Sequence, residues 1–283
     1  MLILLYGITA FVYLLLAGVA FRGNIALEKN GSLKTLGLLF AVLLHGFLLH
    51  ETIFVVRDST MVMQFGFAPA LSTMFWLGAA IYLIEGLFFS IEGLAAIIFP
   101  LTAIAVVLPL FFPSYQSVTY IHNPLFKAHF IIAFLSYGLF AIAAMHAVLM
   151  VIAEQRLHRA IVSNNDSVGL NGFVYRLIDR LPPLLTLERL LFRMIFVGFV
   201  LLSLTLITGL VFSEQLFGRA FRFDHKTVFA ILSWVIFGLL ILGRQFYGWR
   251  GQLALRWTFS GFIALLLAYI GSRFVLEVIL HRV

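Results

Sequence analysis

Three phenylalanines and a carboxylate occur at short spacing in one polar stretch of the chain, residues 217–224. Phe217, Phe221 and Phe223 alternate with glycine, alanine and two arginines, and Asp224 ends the stretch. Aromatic rings bury a large flat apolar surface, and arginine is a good partner for carboxylates. The stretch therefore predicts a platform for a planar, acidic ligand of the porphyrin type.

Histidine is the second residue type with suitable chemistry, because imidazole is a common axial ligand of porphyrin-bound iron. His129, His225 and His281 each lie at the end of a long apolar run. His225 directly follows Asp224, which also has the position of an N-cap for the next helix. A lone histidine at a helix end is more often an interfacial polar residue than a ligand. Both interpretations therefore stand at this point.

His45 differs from these residues because it lies inside an apolar run, roughly 15 Å from the end of that run at the helical rise per residue. An ionisable residue at such depth is costly and usually marks function. His50 follows five residues later in the sequence. Five residues turn a helix by about 140° beyond a full turn, so His45 and His50 cannot easily share one iron.

Arg273, Glu277 and His281 are spaced four residues apart in the last apolar run. That spacing places all three on one helical face. It predicts that Glu277 pairs with Arg273 and also orients His281 as a hydrogen-bond acceptor. The alternative is an interfacial ion pair with no ligand beside it.

The elements that position these residues must be membrane helices. The chain of 283 residues is 63% hydrophobic and 11% charged, with a mean hydropathy of +1.08. Spans of about 20 apolar residues cross a bilayer, and backbone groups in lipid must be satisfied internally. The alternating ten-residue segments of a barrel are missing from the sequence. We therefore predict an all-α bundle with about eight spans, residues 2–21, 35–56, 68–89, 93–112, 128–153, 190–212, 226–243 and 256–280.

Composition also excludes several classes of function. The sequence has no cysteine, which excludes disulfides and thiolate ligands within this chain. The net charge of +7 reflects loop lysines and arginines that orient the spans, and it is not a nucleic-acid signal. Membrane lipid is the expected surrounding partner.

Lysine and arginine also predict the orientation of the bundle. With both termini outside, 12 of the 19 basic residues fall in inside loops and 7 outside, which agrees with the positive-inside rule. The outside set consists of Arg57, Lys127, Arg219, Arg222, Lys226, Arg273 and Arg282. The stretch 217–224 and the ends of the runs that carry His129 and His281 then share the outer side.

A single integral-membrane domain, residues 1–283, is expected, with an amphipathic inner segment at about 173–189. Apolar and basic residues alternate there at helical spacing, which is typical of a helix lying on the membrane surface. A connecting helix packed on the bundle is the other possibility.

Residues 209–234 resemble the segment of the cytochrome c assembly family (CcsA-type, haem-handling) that carries the tryptophan-rich motif WGxxWxWD. Without a gap, the three motif tryptophans correspond to Phe217, Phe221 and Phe223. The motif's glycine and aspartate are kept as Gly218 and Asp224. The Asp-His-Lys-Thr continuation resembles the HemX/YpjD branch. Similar matches occur at residues 127–130, 136–137, 187–210 and 247–251.

The resemblance implies a bacterial inner-membrane protein that binds or handles haem, non-covalently and of b type. It implies that the motif loop holds haem on the outer face and that two flanking histidines, here His129 and His281, ligate the iron. It makes His45 the candidate for a haem position within the membrane. The protein would be an accessory of cytochrome c maturation or haem supply, with an assembly partner or apocytochrome, and not a complete haem lyase by itself.

Two other readings remain open from the sequence. Replacement of all three motif tryptophans favours a membrane binding or regulatory protein that keeps the family fold without haem and acts through a partner. A b-type electron carrier would need paired histidines on facing helices, and the histidines within the spans are sparse for that.

Overall fold

The computed structural model describes residues 1–22, 31–57, 60–89, 91–114, 117–118, 123–162, 183–217 and 224–281. Within these residues, eight helices are long and apolar enough to cross a membrane. The predicted all-α membrane bundle of eight spans is thus confirmed. In chain order the helices are α1 (Leu2–Arg22), α2 (Gly31–Ile53), α3 (Phe67–Gly86), α4 (Glu92–Phe111), α5 (Pro124–Val162), α6 (Leu184–Phe217), α7 (His225–Tyr247) and α8 (Gly251–Leu266).

The last span continues beyond α8 with unusual helical geometry. Two π-helical turns, Leu267–Gly271 and Val275–Ile279, flank the short α-helical segment Ser272–Phe274. A π turn closes its hydrogen bonds over five residues rather than four, and such turns are frequent at functional sites. Residues four apart in this segment therefore do not keep the single face that an α-helix would give them.

Three short strands accompany the helices and were not predicted. Strands β1 (Phe54–Arg57), β2 (Thr60–Gln64) and β3 (Ser117–Val118) form an antiparallel sheet in the order β1-β2-β3. Val55 pairs with Val62, and Met63 pairs with Val118. The prediction of helix as far as residue 56 is wrong, because the apolar run continues into β1 with strand-favouring residues.

Helix α5 lies at the centre of the bundle and packs against α3, α4, α6 and α8. Its Phe140 ring stacks on Phe237 of α7 with 3.9 Å between ring centroids. Gly198 of α6 and Gly261 of α8 leave room for this pair, because a Cβ on either would lie 3.0 Å or less from one of the two rings. Small residues at helix contacts are typical of membrane bundles, where close backbone approach replaces the hydrophobic effect.

The amphipathic inner segment predicted at residues 173–189 lies mostly outside the described residues. The described part, from Leu184 to Arg189, forms the first turns of α6. The long helices α5 and α6 pack tightly on each other on either side of this connection.

Candidate functional site

The candidate site lies at one end of the bundle, where α3, α5 and α7 begin and where α6 and the last span end. Phe65, just before α3, joins these elements. Its ring contacts Phe130 and Phe134 of α5 at centroid distances of 4.8 and 4.9 Å, and Tyr269 of the last span at 6.0 Å. This end carries His129, Asp224, Lys226, Arg273 and Glu277, and it is the outer end in the predicted orientation.

His129 lies in the second turn of α5 and faces α6. Its Nδ1 is 3.1 Å from the Thr208 hydroxyl. That hydroxyl donates its own hydrogen to the carbonyls of Leu204 and Thr205, at 2.7 and 3.1 Å. Since a hydroxyl has one hydrogen, Thr208 accepts from His129 Nδ1–H. The tautomer is thereby fixed, and Nε2 is the ring nitrogen with the lone pair that a metal needs.

Gly209 allows this arrangement of the imidazole. A Cβ at position 209 would lie 3.3 Å from Cε1 of His129, so a larger residue would press on the ring. The neighbouring threonines serve the helix itself: the Thr205 hydroxyl donates to the Leu201 carbonyl at 2.8 Å. Thr208 is therefore the side chain on this face of α6 that bonds to the histidine, and the backbone of Thr205 is a second partner of the ring.

Two basic side chains converge on Tyr269 near the same end. Lys226 Nζ lies 5.6 Å from the centre of the Tyr269 ring, and the Arg273 guanidinium carbon lies 5.7 Å from it. Among the described residues neither cation has a carboxylate within 4 Å. The Arg273 Nε atom is buried without a hydrogen-bond partner there. Two positive charges held a few ångströms from one ring suit a ligand with paired carboxylates.

Glu277 corrects one sequence prediction. Its Oε2 accepts a hydrogen bond of 3.1 Å from the backbone N–H of Phe67, so it caps the start of α3. Within the described part of the chain it bonds to neither Arg273 nor His281, and the predicted pairing is wrong. The last span is π-helical around Glu277, which breaks the four-residue face on which that prediction depended.

The hydrogen bond between Glu277 and Phe67 requires a glycine at position 66. A Cβ at Gly66 would lie 2.5 Å from Glu277 Oε2 and 2.6 Å from the Ser114 hydroxyl. Both Glu277 Oε1 and the Ser114 hydroxyl are buried without a hydrogen-bond partner in the described chain. The Phe67 N–H, the Ser114 hydroxyl and the Glu277 carboxylate come from three separate segments of the chain. These polar groups thus meet near Lys226 and Arg273.

Asp224 caps α7, as its position predicted. Its Oδ1 accepts from the backbone N–H and the hydroxyl of Thr227, both at 2.9 Å. Burial by itself would raise the pKa of Asp224, but these hydrogen bonds and the charge of Lys226 lower it below the usual value. His225 begins α7 and is exposed.

His281 follows the last π turn and is exposed. Its φ of 47° is left-handed, a conformation that only a few non-glycine residues adopt. The pairing of His281 with His129 on one iron stays a prediction. Of the predicted aromatic platform, Phe217 is the last residue of α6, whereas Phe221 and Phe223 lie outside the described residues.

His45 is fully buried within α2. Its Nε2 is 2.9 Å from the Ser72 hydroxyl of α3, and its ring meets Tyr13 of α1 edge-on at 5.9 Å. His45 Nδ1 and the Tyr13 hydroxyl are both buried without a hydrogen-bond partner in the described chain. His50 lies elsewhere, exposed beside Glu51. The structure thus separates His45 from His50, as the helical angle predicted.

Thr208, Lys226, Tyr269 and Ser72 are the site residues that sequence reasoning missed. Thr208 and Ser72 are recognisable only once the partner helix is known, because each bonds to a histidine on a different span. Lys226 carried a usable signal, since it lies two residues after Asp224, just past the motif stretch, and has a charge at a membrane boundary.

Comparisons with known proteins show a family relationship over most of the chain. Residues 34–280 match the family described as Cytochrome C assembly protein. Over 187 residues the chain is 30% identical to the inner membrane protein YpjD of Escherichia coli strain K12, a match that covers 66% of this chain and 65% of YpjD. Cytochrome c biogenesis protein CcsA of Prochlorococcus marinus strain AS9601 is 28% identical over 156 residues, 52% of this chain and 50% of that protein. No solved structure matches the chain.

The matched part spans slightly less than two thirds of YpjD and about half of CcsA. CcsA from strain MIT 9515 of the same species is 36% identical over a shorter match of 89 residues. With eight membrane-capable helices in the described residues, these comparisons confirm the predicted multi-pass location in the bacterial inner membrane.

Proposed function

Because this chain belongs to the cytochrome c assembly protein family, we propose that it binds haem at the outer end of its bundle and handles it for cytochrome c maturation or haem supply. In this proposal the haem is b-type and is held non-covalently, and the chain has no cysteine that could form a thioether to it. The observation that carries the proposal is the fixed tautomer of His129, which prepares Nε2 as a metal ligand.

His129 and His281 are the axial ligands in this proposal. Two neutral imidazoles give a six-coordinate iron with no open position. The bound haem lies against Phe217, Phe221 and Phe223, and Asp224 and His225 border it at the start of α7. His45 is the candidate for a second position in transit, supported by its unpartnered buried Nδ1.

The positive charges of Lys226 and Arg273 support the same location for the haem. The two propionates of haem are carboxylates, and these basic side chains both lie within 6 Å of the centre of the Tyr269 ring. Among the described residues neither forms an ion pair with a carboxylate. Phe65, Phe130 and Phe134 form a cluster of aromatic rings next to them. An apolar floor with cations at its edge fits the chemistry of haem.

The protein is an accessory and not a complete haem lyase in this proposal. Covalent attachment of haem needs thiols on an acceptor and a protein that presents it. An assembly partner or an apocytochrome in the same membrane is therefore the expected recipient. The whole chain forms one integral-membrane domain.

A second candidate function has one observation in its favour. Phenylalanine replaces each of the three motif tryptophans, which is compatible with a regulatory membrane protein that keeps the fold without haem. Such a protein would act on its partner through helix contacts.

A haem titration of the purified full-length protein in detergent distinguishes the two. We expect saturable binding of one haem per chain, lost in His129→Ala and in His281→Ala and restored in each by free imidazole. His50→Ala is the matched control, because His50 is an exposed histidine at a helix end on the same side. Equal binding by the wild type and all three variants would contradict the assignment of His129 and His281 as ligands. No haem binding by any of these proteins would favour the regulatory function.

A further inference from the structure

A second pair of ionisable groups lies near the opposite end of the bundle, away from the candidate haem site. Glu85 is in the last turn of α3, and His146 is on the central helix α5. His146 Nε2 and Glu85 Oε2 are 3.9 Å apart, and neither atom has a hydrogen-bond partner in the described chain. The His146 side chain is fully buried, and that of Glu85 is 13% exposed. Ionisable residues placed like this in a membrane are costly unless they are used.

The other nitrogen of His146 decides which groups can carry hydrogen. His146 Nδ1 is 3.0 Å from the backbone carbonyl of Ile142. A carbonyl oxygen only accepts, so Nδ1 must carry a hydrogen. In the neutral ring Nε2 then carries a lone pair, and that lone pair faces Glu85 Oε2.

An ionised carboxylate opposite a lone pair would repel it. The pair is favourable only if a cation lies between the two atoms. A proton is the smallest such cation, and the groups of three or more ligand residues that would hold a metal ion are missing from the described chain. The 3.9 Å distance between Glu85 Oε2 and His146 Nε2 is about 1 Å longer than a hydrogen bond. A shared proton therefore requires a small side-chain rotation of Glu85.

We propose that Glu85 and His146 form an intramembrane proton-binding site, in which one proton is held between Glu85 Oε2 and His146 Nε2. The proton belongs to the carboxyl group at neutral pH, because a neutral acid beside a neutral imidazole avoids the desolvation of two charges. Glu85 is the partly exposed member of the pair, so in this proposal the proton enters and leaves through Glu85.

Other titratable groups on the packed helices have partners of their own or lie elsewhere. Glu154 of α5 accepts from Gln252, and Glu188 of α6 pairs with Arg244. Tyr82, one turn before Glu85, packs its ring on Phe99 at 5.2 Å. In the part of the chain that the structure describes, neither Glu154, Glu188 nor Arg256 forms an ion pair with Glu85 or His146. The two residues thus titrate as a unit of their own.

The chain offers a matched control in His50 and Glu51. This pair has a similar separation of 3.5 Å between Nδ1 and Oε1, but its side chains are 60% and 43% exposed. Water screens such a pair, so it has no need of a shared proton. Glu51→Gln therefore changes the same chemical group without a buried partner.

The test is infrared difference spectroscopy of the full-length protein in lipid, combined with nitrogen-15 labelling of histidine. At neutral pH we expect one protonated-carboxyl band that disappears in Glu85→Gln and stays in Glu51→Gln. We also expect His146 to be neutral, with its hydrogen on Nδ1 and Nε2 accepting a hydrogen bond.

Several outcomes would overturn the proposal. They are a wild-type protein without a protonated-carboxyl band, a His146 imidazolium at neutral pH, or a stoichiometric metal ion that a chelator removes together with the His146 signal. Glutamine keeps an N–H donor for Nε2, so Glu85→Gln is expected to fold. If Glu85→Gln does not fold, the wild-type histidine spectrum still tests the proposal, because a His146 imidazolium at neutral pH would overturn it. Haem binding is not measured in this test, so its result is independent of the proposed function.

Discussion

Thr208 accepts a hydrogen bond from Nδ1 of His129 across the interface of α5 and α6, at 3.1 Å. The donor and acceptor roles follow from the carbonyls that already take the single hydrogen of the threonine hydroxyl. A side chain on one membrane helix thereby sets the tautomer of a histidine on another. In metal sites such partners orient the ligand and raise its basicity.

Thr208→Val is expected to weaken haem binding by about 10- to 100-fold, the usual effect of losing a partner that orients a metal ligand. Valine keeps the shape of the side chain but cannot accept the Nδ1 hydrogen. Thr205→Val is the matched control, since the Thr205 hydroxyl bonds to its own helix at the Leu201 carbonyl. A haem titration measures both, and equal affinities would show that Thr208 does not support the ligand.

Lys226→Gln and Arg273→Gln are each expected to lower haem affinity by about 10- to 150-fold, since a hydrogen bond to a charged group contributes about 1.5 to 3 kcal/mol. The loss should disappear with haem dimethyl ester, in which the propionates carry no charge. Loss of affinity for the ester to the same extent would mean that the two residues act through the fold and not through propionates.

Glu277→Ala is expected to lower the free energy of unfolding by about 1 kcal/mol, the usual effect of losing a cap at a helix start. Glu277→Gln should lose less, because an amide oxygen still accepts from Phe67 N–H. Thermal unfolding in detergent measures the difference. If glutamine and alanine destabilise equally, the charge and not the hydrogen bond maintains the start of α3.

The structure shows which parts of this arrangement the sequence could reveal. The eight spans follow from hydropathy, and the cap by Asp224 follows from a carboxylate placed directly before an apolar run. The family resemblance is likewise confirmed. The contact of Glu277 with Phe67 joins residues 210 positions apart, and no local pattern encodes it.

Two local features were also beyond sequence reasoning. Strand β1 continues the apolar run of α2, so hydropathy alone places the end of the helix too late. The π turns of the last span change which residues share a face, and they depend on packing rather than on residue type. That is why the pairing of Arg273 with Glu277 was predicted and the cap on α3 was not.

The cap of α7 should depend on pH. The folded pKa of Asp224 is lowered, mainly by the hydrogen bonds from Thr227 against the opposing effect of burial. Its contribution to stability is therefore fully present above the ordinary aspartate pKa of 3.8 and is lost as the pH falls through the lowered folded value. Asp224→Asn, which keeps an uncharged acceptor, should remove this dependence in thermal unfolding measured from pH 6 to about pH 3. An unchanged pH profile in the variant would show that Asp224 does not cause it.

The orientation of the bundle is open to a direct test. Reporter fusions at Asn165 and at Val283 should give inside activity at the first position and outside activity at the second, because 12 of the 19 basic residues fall on the predicted inner side. Inside activity at Val283 would place His129, Lys226 and Arg273 on the cytoplasmic side, where they could not present haem to an outer partner.

The optical spectrum of the purified protein tests the central claim most directly. After haem has been supplied, the oxidised and dithionite-reduced spectra should show one low-spin, six-coordinate haem per chain, as expected of two imidazole ligands. The His129→Ala, His281→Ala double variant should lack that spectrum. A protein that carries no haem bands after supply, or a double variant with the wild-type spectrum, would contradict the account.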